Sequence, residues 1–209
     1  MDFLELTNIL LEDKPSRTLI ERKNDLAKLI PEFSDSYDFD QHTIWHPYDV
    51  FTHTLKVVDG VDCDLNLRIA ALFHDIGKPY TMIIGDDGNG HFYGHWEKSK
   101  EIFSKYKDRF NPEYVDTLLV KDLIEYHDLS IDMKSIHKFM RTFTPDNMGL
   151  LFMLKEADIK AQNKDFMEER LDDLEKQKEL YYMSLADSYE YSSVLKNSSY
   201  EYIKRKEDE

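Results

Sequence analysis

An apolar helical stretch ends in Arg68-Ile-Ala-Ala-Leu-Phe-His74-Asp75-Ile-Gly77-Lys78-Pro79. Gly77 and Pro79 are helix-stop signals, so His74 and Asp75 are expected near a helix C-terminus. A carboxylate there sits against the negative end of the helix dipole, a mismatch that a cation would remove. An imidazole and a carboxylate at consecutive positions offer two metal ligands on one short stretch.

Two ligands do not make a site. His53 lies one helix upstream, in Asp49-Val-Phe-Thr-His53-Thr, and Asp158 lies far downstream, in Lys155-Glu-Ala-Asp158-Ile. Two imidazoles and two carboxylates, with water in the remaining positions, suit a divalent ion that takes nitrogen and oxygen donors. His95, after a glycine-rich stretch, and His127, on the apolar face of another helix, are candidates for a second ion that Asp75 would bridge. Magnesium, manganese, iron, cobalt, nickel and zinc all fit this donor set. Each residue has a plainer reading. His74 and Asp75 can be a satisfied helix end, Asp158 the partner of an arginine, His95 and His127 core or solvated histidines, and Lys78 a cation at a helix end.

Helices must position these side chains. Val50, Thr54, Val57, Val58 and Val61 recur at helical spacing, as do Leu65, Ile69, Leu72, Phe73 and Ile76. Val115, Leu118, Leu119 and Leu123 lead along one face to His127, and Leu150, Leu151 and Leu154 lead to Asp158. Met167, Leu171, Leu174, Tyr181 and Leu185 mark a long late helix. The exception is Thr81–Tyr93, where Ile83-Ile84 runs into Gly-Asp-Asp-Gly-Asn-Gly, a flexible loop or small hairpin. The pattern is all-α, one domain over 1–186 with N-terminal helices in 1–30 packed on it, followed by a C-terminal helix or frayed tail over 187–209. Tyr181, Tyr182, Tyr189 and Tyr191 are expected to cover the core or an oligomer contact, and the sequence does not fix the oligomeric state.

Composition narrows the partners. The 209 residues carry 42 acidic and 27 basic side chains, a net charge of −15. A general nucleic-acid binder needs a basic face, so a long polynucleotide is not expected, whereas a small phosphorylated molecule can meet positive charge at a bound ion. One cysteine, Cys63, excludes an intramolecular disulfide framework. No apolar run is long enough to span a membrane, and the N-terminus does not read as a signal peptide. The expected location is the cytoplasm.

The order His53, His74-Asp75, Asp158 resembles the HD superfamily of metal-dependent phosphohydrolases. The string is most similar to the HD domain at the C-terminal end of bacterial tRNA nucleotidyltransferases. Trp45-His46-Pro47 ahead of His53 carries that likeness, as do Gly94-His95, Tyr126-His127-Asp128 and Lys155-Glu-Ala-Asp158-Ile159. The resemblance covers about residues 1–175 and implies an HD-type helical bundle. It also implies metal-dependent hydrolysis of phosphomonoester, phosphodiester or 2′,3′-cyclic phosphate bonds in a nucleotide or nucleic-acid end. His95 and His127 match the second-metal ligands of dinuclear members. Nothing in the chain resembles the polymerase head, so nucleotide addition is not implied.

The expected mechanism is attack by metal-bound hydroxide, with Asp75 and Lys78 as catalytic residues. Lys78, Arg141 and His46 are expected to bind substrate, and the glycine-rich loop at Gly85–Gly90 to act as a lid. Two other classes remain: a di-iron oxygenase using the same six ligands, and a non-catalytic binding module on the same fold.

Overall fold

The computed structural model describes the backbone of residues 1–207 and the side chains of residues 1–189. The Tyr191 side chain and the last two residues of the expected tail therefore lie outside the described set. The described residues form ten α-helices, three short 3-10 turns and one two-stranded hairpin. The all-α expectation holds.

Polar caps set the helix starts. Asp49, Asp64 and Asp116 cap α4 (Val50–Gly60), α5 (Leu65–Phe73) and α7 (Thr117–Tyr126), each accepting from a first-turn backbone N–H. Thr144 does the same for α9 (Pro145–Lys160), which opens on a proline at a position where no N–H is needed. Three short helices, α1 (Phe3–Leu10), α2 (Pro15–Glu21) and α3 (Lys23–Leu29), precede them. α6 (His95–Tyr106) follows Gly94, whose φ of 75° is open to a glycine at little cost. α8 (Ile136–Thr142) leads into α9, and α10 (Lys164–Glu207) closes the described chain.

The centre is a four-helix arrangement. α5 packs against α4, α7 and α9, α4 also packs on α9, and α6 lies against α7. The apolar stripe of α4 is buried throughout, and that of α5 is buried from Ile69 onward, with Leu65 half-buried at its start. On α7 the stripe is narrower than its sequence suggests: Leu119 and Leu123 are buried, but Leu118 is 71% exposed. Ile83–Ile84 pairs antiparallel with Gly90–His91, so the glycine-rich stretch is a small hairpin. No helix among the described residues is long and apolar enough to cross a membrane.

Candidate metal centre

The helix ends deliver the donors. His53 lies within α4, His74 follows the last residue of α5, His127 follows the last residue of α7, and His95 opens α6. Asp75 sits in the turn after His74, and Asp158 in the last turn of α9. The C-terminal ends of α5, α7 and α9 thus meet, each bringing partial negative charge that favours a cation.

All six side chains are buried. They form two groups that share one residue. One donor atom from each of His53, His74, Asp75 and Asp158 lies within 4.8 Å of the others, and the same is true of Asp75, His95 and His127. Asp75 is split between them. Its Oδ2 lies 3.2 Å from His74 Nε2 and 3.4 Å from His53 Nε2, while its Oδ1 lies 3.3 Å from His95 Nε2 and 3.7 Å from His127 Nε2. Asp158 Oδ1 closes the first group at 2.9 Å from His53 Nε2.

The proton positions follow from the partners. His74, His95 and His127 each fold Nδ1 back onto the carbonyl three residues earlier, at 2.7, 2.9 and 2.7 Å, and His53 Nδ1 faces the Ala161 carbonyl at 3.4 Å. A carbonyl only accepts, so Nδ1 carries the hydrogen and the neutral ring turns a lone pair inward at Nε2. The inward atoms then meet head to head: His53 and His74 Nε2 are 3.4 Å apart, and His95 and His127 Nε2 are 3.3 Å apart. Neither Asp75 oxygen has a partner in hydrogen-bonding geometry, although Lys78 Nζ stands 2.7 Å from Oδ2. Converging lone pairs around an unsatisfied buried carboxylate fit a divalent cation in each group.

The electrostatics agree in direction. Burial alone would raise the Asp75 carboxyl, but His74, Lys78 and His127 hold it well below the usual carboxylate range. Asp158 is likewise held low against burial, by His53 and His74. Burial disfavours a charged His74, yet Asp75 and Asp158 raise it, whereas burial dominates at His127 and lowers it.

An open cavity of about 640 Å³ leads to both groups. His46 and Lys78 line it. Lys78 Nζ is held by Asp75 and donates to Gln41 Oε1 at 2.9 Å, with His46 Nε2 3.4 Å away. Burial and the Lys78 charge press the His46 imidazole well below its ordinary value. Arg141 is not brought to the site. It is exposed on α8 and absent from the cavity wall, because α8 turns its buried face, Ile136 and Phe139, toward the core. Arg170 on α10 lines the cavity instead.

Sequence reasoning missed Arg170 and Gln162. Gln162 Nε2 donates to both Asp158 oxygens, at 3.2 and 3.1 Å, and Arg170 donates to Gln162 Oε1. This relay fixes the carboxylate's orientation from α10. Gln162 stands four residues after Asp158, a spacing that would have suggested contact. Arg170 gave no such signal, since only the packing of α10 on α9 brings it near. Trp96 and Phe92 also line the cavity and were not singled out.

The model of the HD domain family matches residues 43–192. Among curated proteins, the A-adding tRNA nucleotidyltransferase of Deinococcus radiodurans is 30% identical over 124 residues, which are 54% of this chain and 29% of that protein. The bifunctional uridylyltransferase/uridylyl-removing enzyme of Methylococcus capsulatus is 31% identical over 171 residues, covering 66% of this chain and 18% of that protein. The CC-adding tRNA nucleotidyltransferase of Thermus thermophilus is 31% identical over 147 residues, 65% of this chain and 33% of that protein. The chain thus spans a third or less of the length of these relatives.

Proposed function

The chain belongs to the HD domain family, and from that premise we propose that it is a metal-dependent phosphohydrolase acting on a nucleotide or a nucleic-acid end. The observation that carries this reading is the head-to-head meeting of imidazole Nε2 atoms around the two oxygens of Asp75, neither of which has a partner in hydrogen-bonding geometry. His53, His74, Asp75 and Asp158 would hold one divalent ion, and Asp75, His95 and His127 a second. Such ions, when bound, make a coordinated water acidic and offset the negative charge of phosphoryl oxygens.

The chain's own residues do the rest. Backbone carbonyls at Ala71, Phe92, Ile124 and Ala161 lock the four rings in the tautomer that presents Nε2. Gln162 fixes Asp158, and Lys78 balances the charge of Asp75 while lining the cavity. His46 stands beside Lys78 at the same wall, where its uncharged ring can contact substrate. The cavity is sized for a small ligand, and the net charge of −15 opposes a long polyanion. Two of the relatives are tRNA enzymes by name, which makes an RNA end the nucleic-acid substrate to try first.

The test is elemental analysis of the purified protein, followed by a screen of 2′,3′-cyclic nucleotides, nucleoside monophosphates and bis-p-nitrophenyl phosphate. Hydrolysis is expected in the parent and only background in Asp75→Ala, with helical circular dichroism retained. Parental turnover in Asp75→Ala would refute the assignment. Bound iron together with an oxygen requirement, and no ester turnover, would turn the reading to an oxygenase.

A further inference from the structure

The α9 wall of the cavity carries a buried cation to which the hydrolase reading gives no task. Lys155 lies one turn before Asp158, is 6% exposed and lines the cavity. Its Nζ donates to the Leu129 carbonyl at 2.7 Å, two residues beyond His127. An ammonium has three N–H donors, and among the described residues this carbonyl is the one partner it has. Asp128, Asp158 and Asp173 act on it only through space, and burial lowers its pKa to about 8, so it is still charged at neutral pH.

A buried ammonium with one neutral partner is an expensive way to tie a helix to a loop, since a neutral donor would serve. Its position says what the charge is for. The Leu129 carbonyl follows the second donor group, and Asp158 belongs to the first, so Nζ stands between the elements that bear both. Arg170 is near but already committed to Gln162.

We propose that Lys155 is a substrate-binding residue, its two remaining N–H groups receiving a non-bridging oxygen of the substrate's phosphate. The proposal deepens the phosphohydrolase reading and rests on it for the identity of the anion. The experiment titrates inorganic phosphate, by calorimetry, into the full-length manganese-loaded protein and into Lys155→Met, Lys155→Gln and Lys155→Arg. Gln can keep the hydrogen bond to Leu129 without the charge, and Arg keeps the charge.

Phosphate affinity is expected to fall about tenfold in both neutral variants, the scale of one charge-assisted hydrogen bond, and to be largely restored in Lys155→Arg. Metal content should stay parental. With bis-p-nitrophenyl phosphate, KM should rise by a similar factor and kcat change less. Parental phosphate affinity in Lys155→Gln would overturn the proposal and leave Lys155 as a clasp, and so would a parent that binds no phosphate. Should Lys155→Met not fold, Gln and Arg still decide. A parent that binds phosphate but turns over no ester sinks the hydrolase reading alone, because the titration judges Lys155 independently.

Discussion

At the scale of single residues, the centre is built by removing alternatives. Each of four imidazoles spends its Nδ1 hydrogen on a backbone carbonyl, which leaves Nε2 facing another Nε2 and a carboxylate. Lys155 is the opposite case, a charge kept where burial opposes it. Its pKa of about 8 in the folded chain, against an ordinary 10.5, means the folded state holds the proton less tightly than the unfolded one. Below pH 8 both states are charged and the full burial penalty applies, about 3 kcal/mol at 1.36 kcal/mol for each pH unit. Between about 8 and 10.5 only the unfolded chain stays protonated, so stability rises with pH. Metal-free Lys155→Gln should therefore melt several degrees above the parent at pH 7, with the gap closing toward pH 10. Thermal unfolding by circular dichroism checks this, and equal melting temperatures at pH 7 would show the ammonium to be well compensated. His74 and Asp75 stood out in the sequence as an uncommon string between an apolar run and Gly77-Lys78-Pro79, whereas His53, Asp158, His95 and His127 each had a plainer reading that only the resemblance to the HD family set aside. Lys155 was visible as a lysine in an apolar run, but its one-sided bonding was not, since that depends on where the loop after His127 passes.

At the scale of elements, the site depends on how closely the turn after α5 meets the start of α6. Gly77 sits at that crossing. A Cβ on it would lie 2.4 Å from the His95 carbonyl oxygen and 2.7 Å from the Ser99 backbone N. Its own N–H donates to Ser99 Oγ at 2.9 Å. Gly77→Ala must push the first turn of α6 away and carry His95 with it. A cost of about 1–3 kcal/mol is expected, the usual range for overpacking. Metal content should fall by one ion while the group of His53, His74, Asp75 and Asp158 keeps its own. An unchanged melting temperature and full metal content would contradict this crossing. The elements themselves were legible wherever apolar spacing was long and regular, as in α4 and α5. Where the reading erred, packing made the difference: Leu118 fits the α7 period but faces solvent, and Arg141 lies within sight of the ligands in sequence but on the wrong side of α8. Helix period says which residues share a face, not which neighbour that face meets.

At the scale of the molecule, the family match and the core do not begin at the same residue. The match starts at residue 43, yet one buried cluster runs from Phe3 to Tyr181. Phe3, Leu6, Ile9, Leu10, Leu19, Leu26, Ile30 and Phe33 are all at most 7% exposed. Phe33 stacks edge-on against Phe51 of α4 and Phe73 of α5, 6.4 and 5.7 Å between centroids. Arg68 on α5 reaches back to the end of α1, its Nη1 donating to the carbonyls of Leu10 and Glu12. The first 36 residues therefore form the rear wall of the helices that carry His53 and His74. We propose that they are part of one folding unit with the rest of 1–186. Burying a large apolar side chain contributes about 1.5–3 kcal/mol, and a domain's net stability is about 5–15 kcal/mol. Eight such side chains together are comparable to or larger than that margin, so the chain from residue 40 onward should lack a cooperative thermal transition, bind a dye for exposed apolar surface and hold no metal. A chain so shortened that melts cooperatively near the parental temperature, with its metal in place, would place the N-terminal helices outside the unit. The metal content matters in that comparison because α4 and α5 can remain helical without their rear wall. What they lose is the fixed spacing between His53 and His74, whose Nε2 atoms must stay 3.4 Å apart for one ion to serve both.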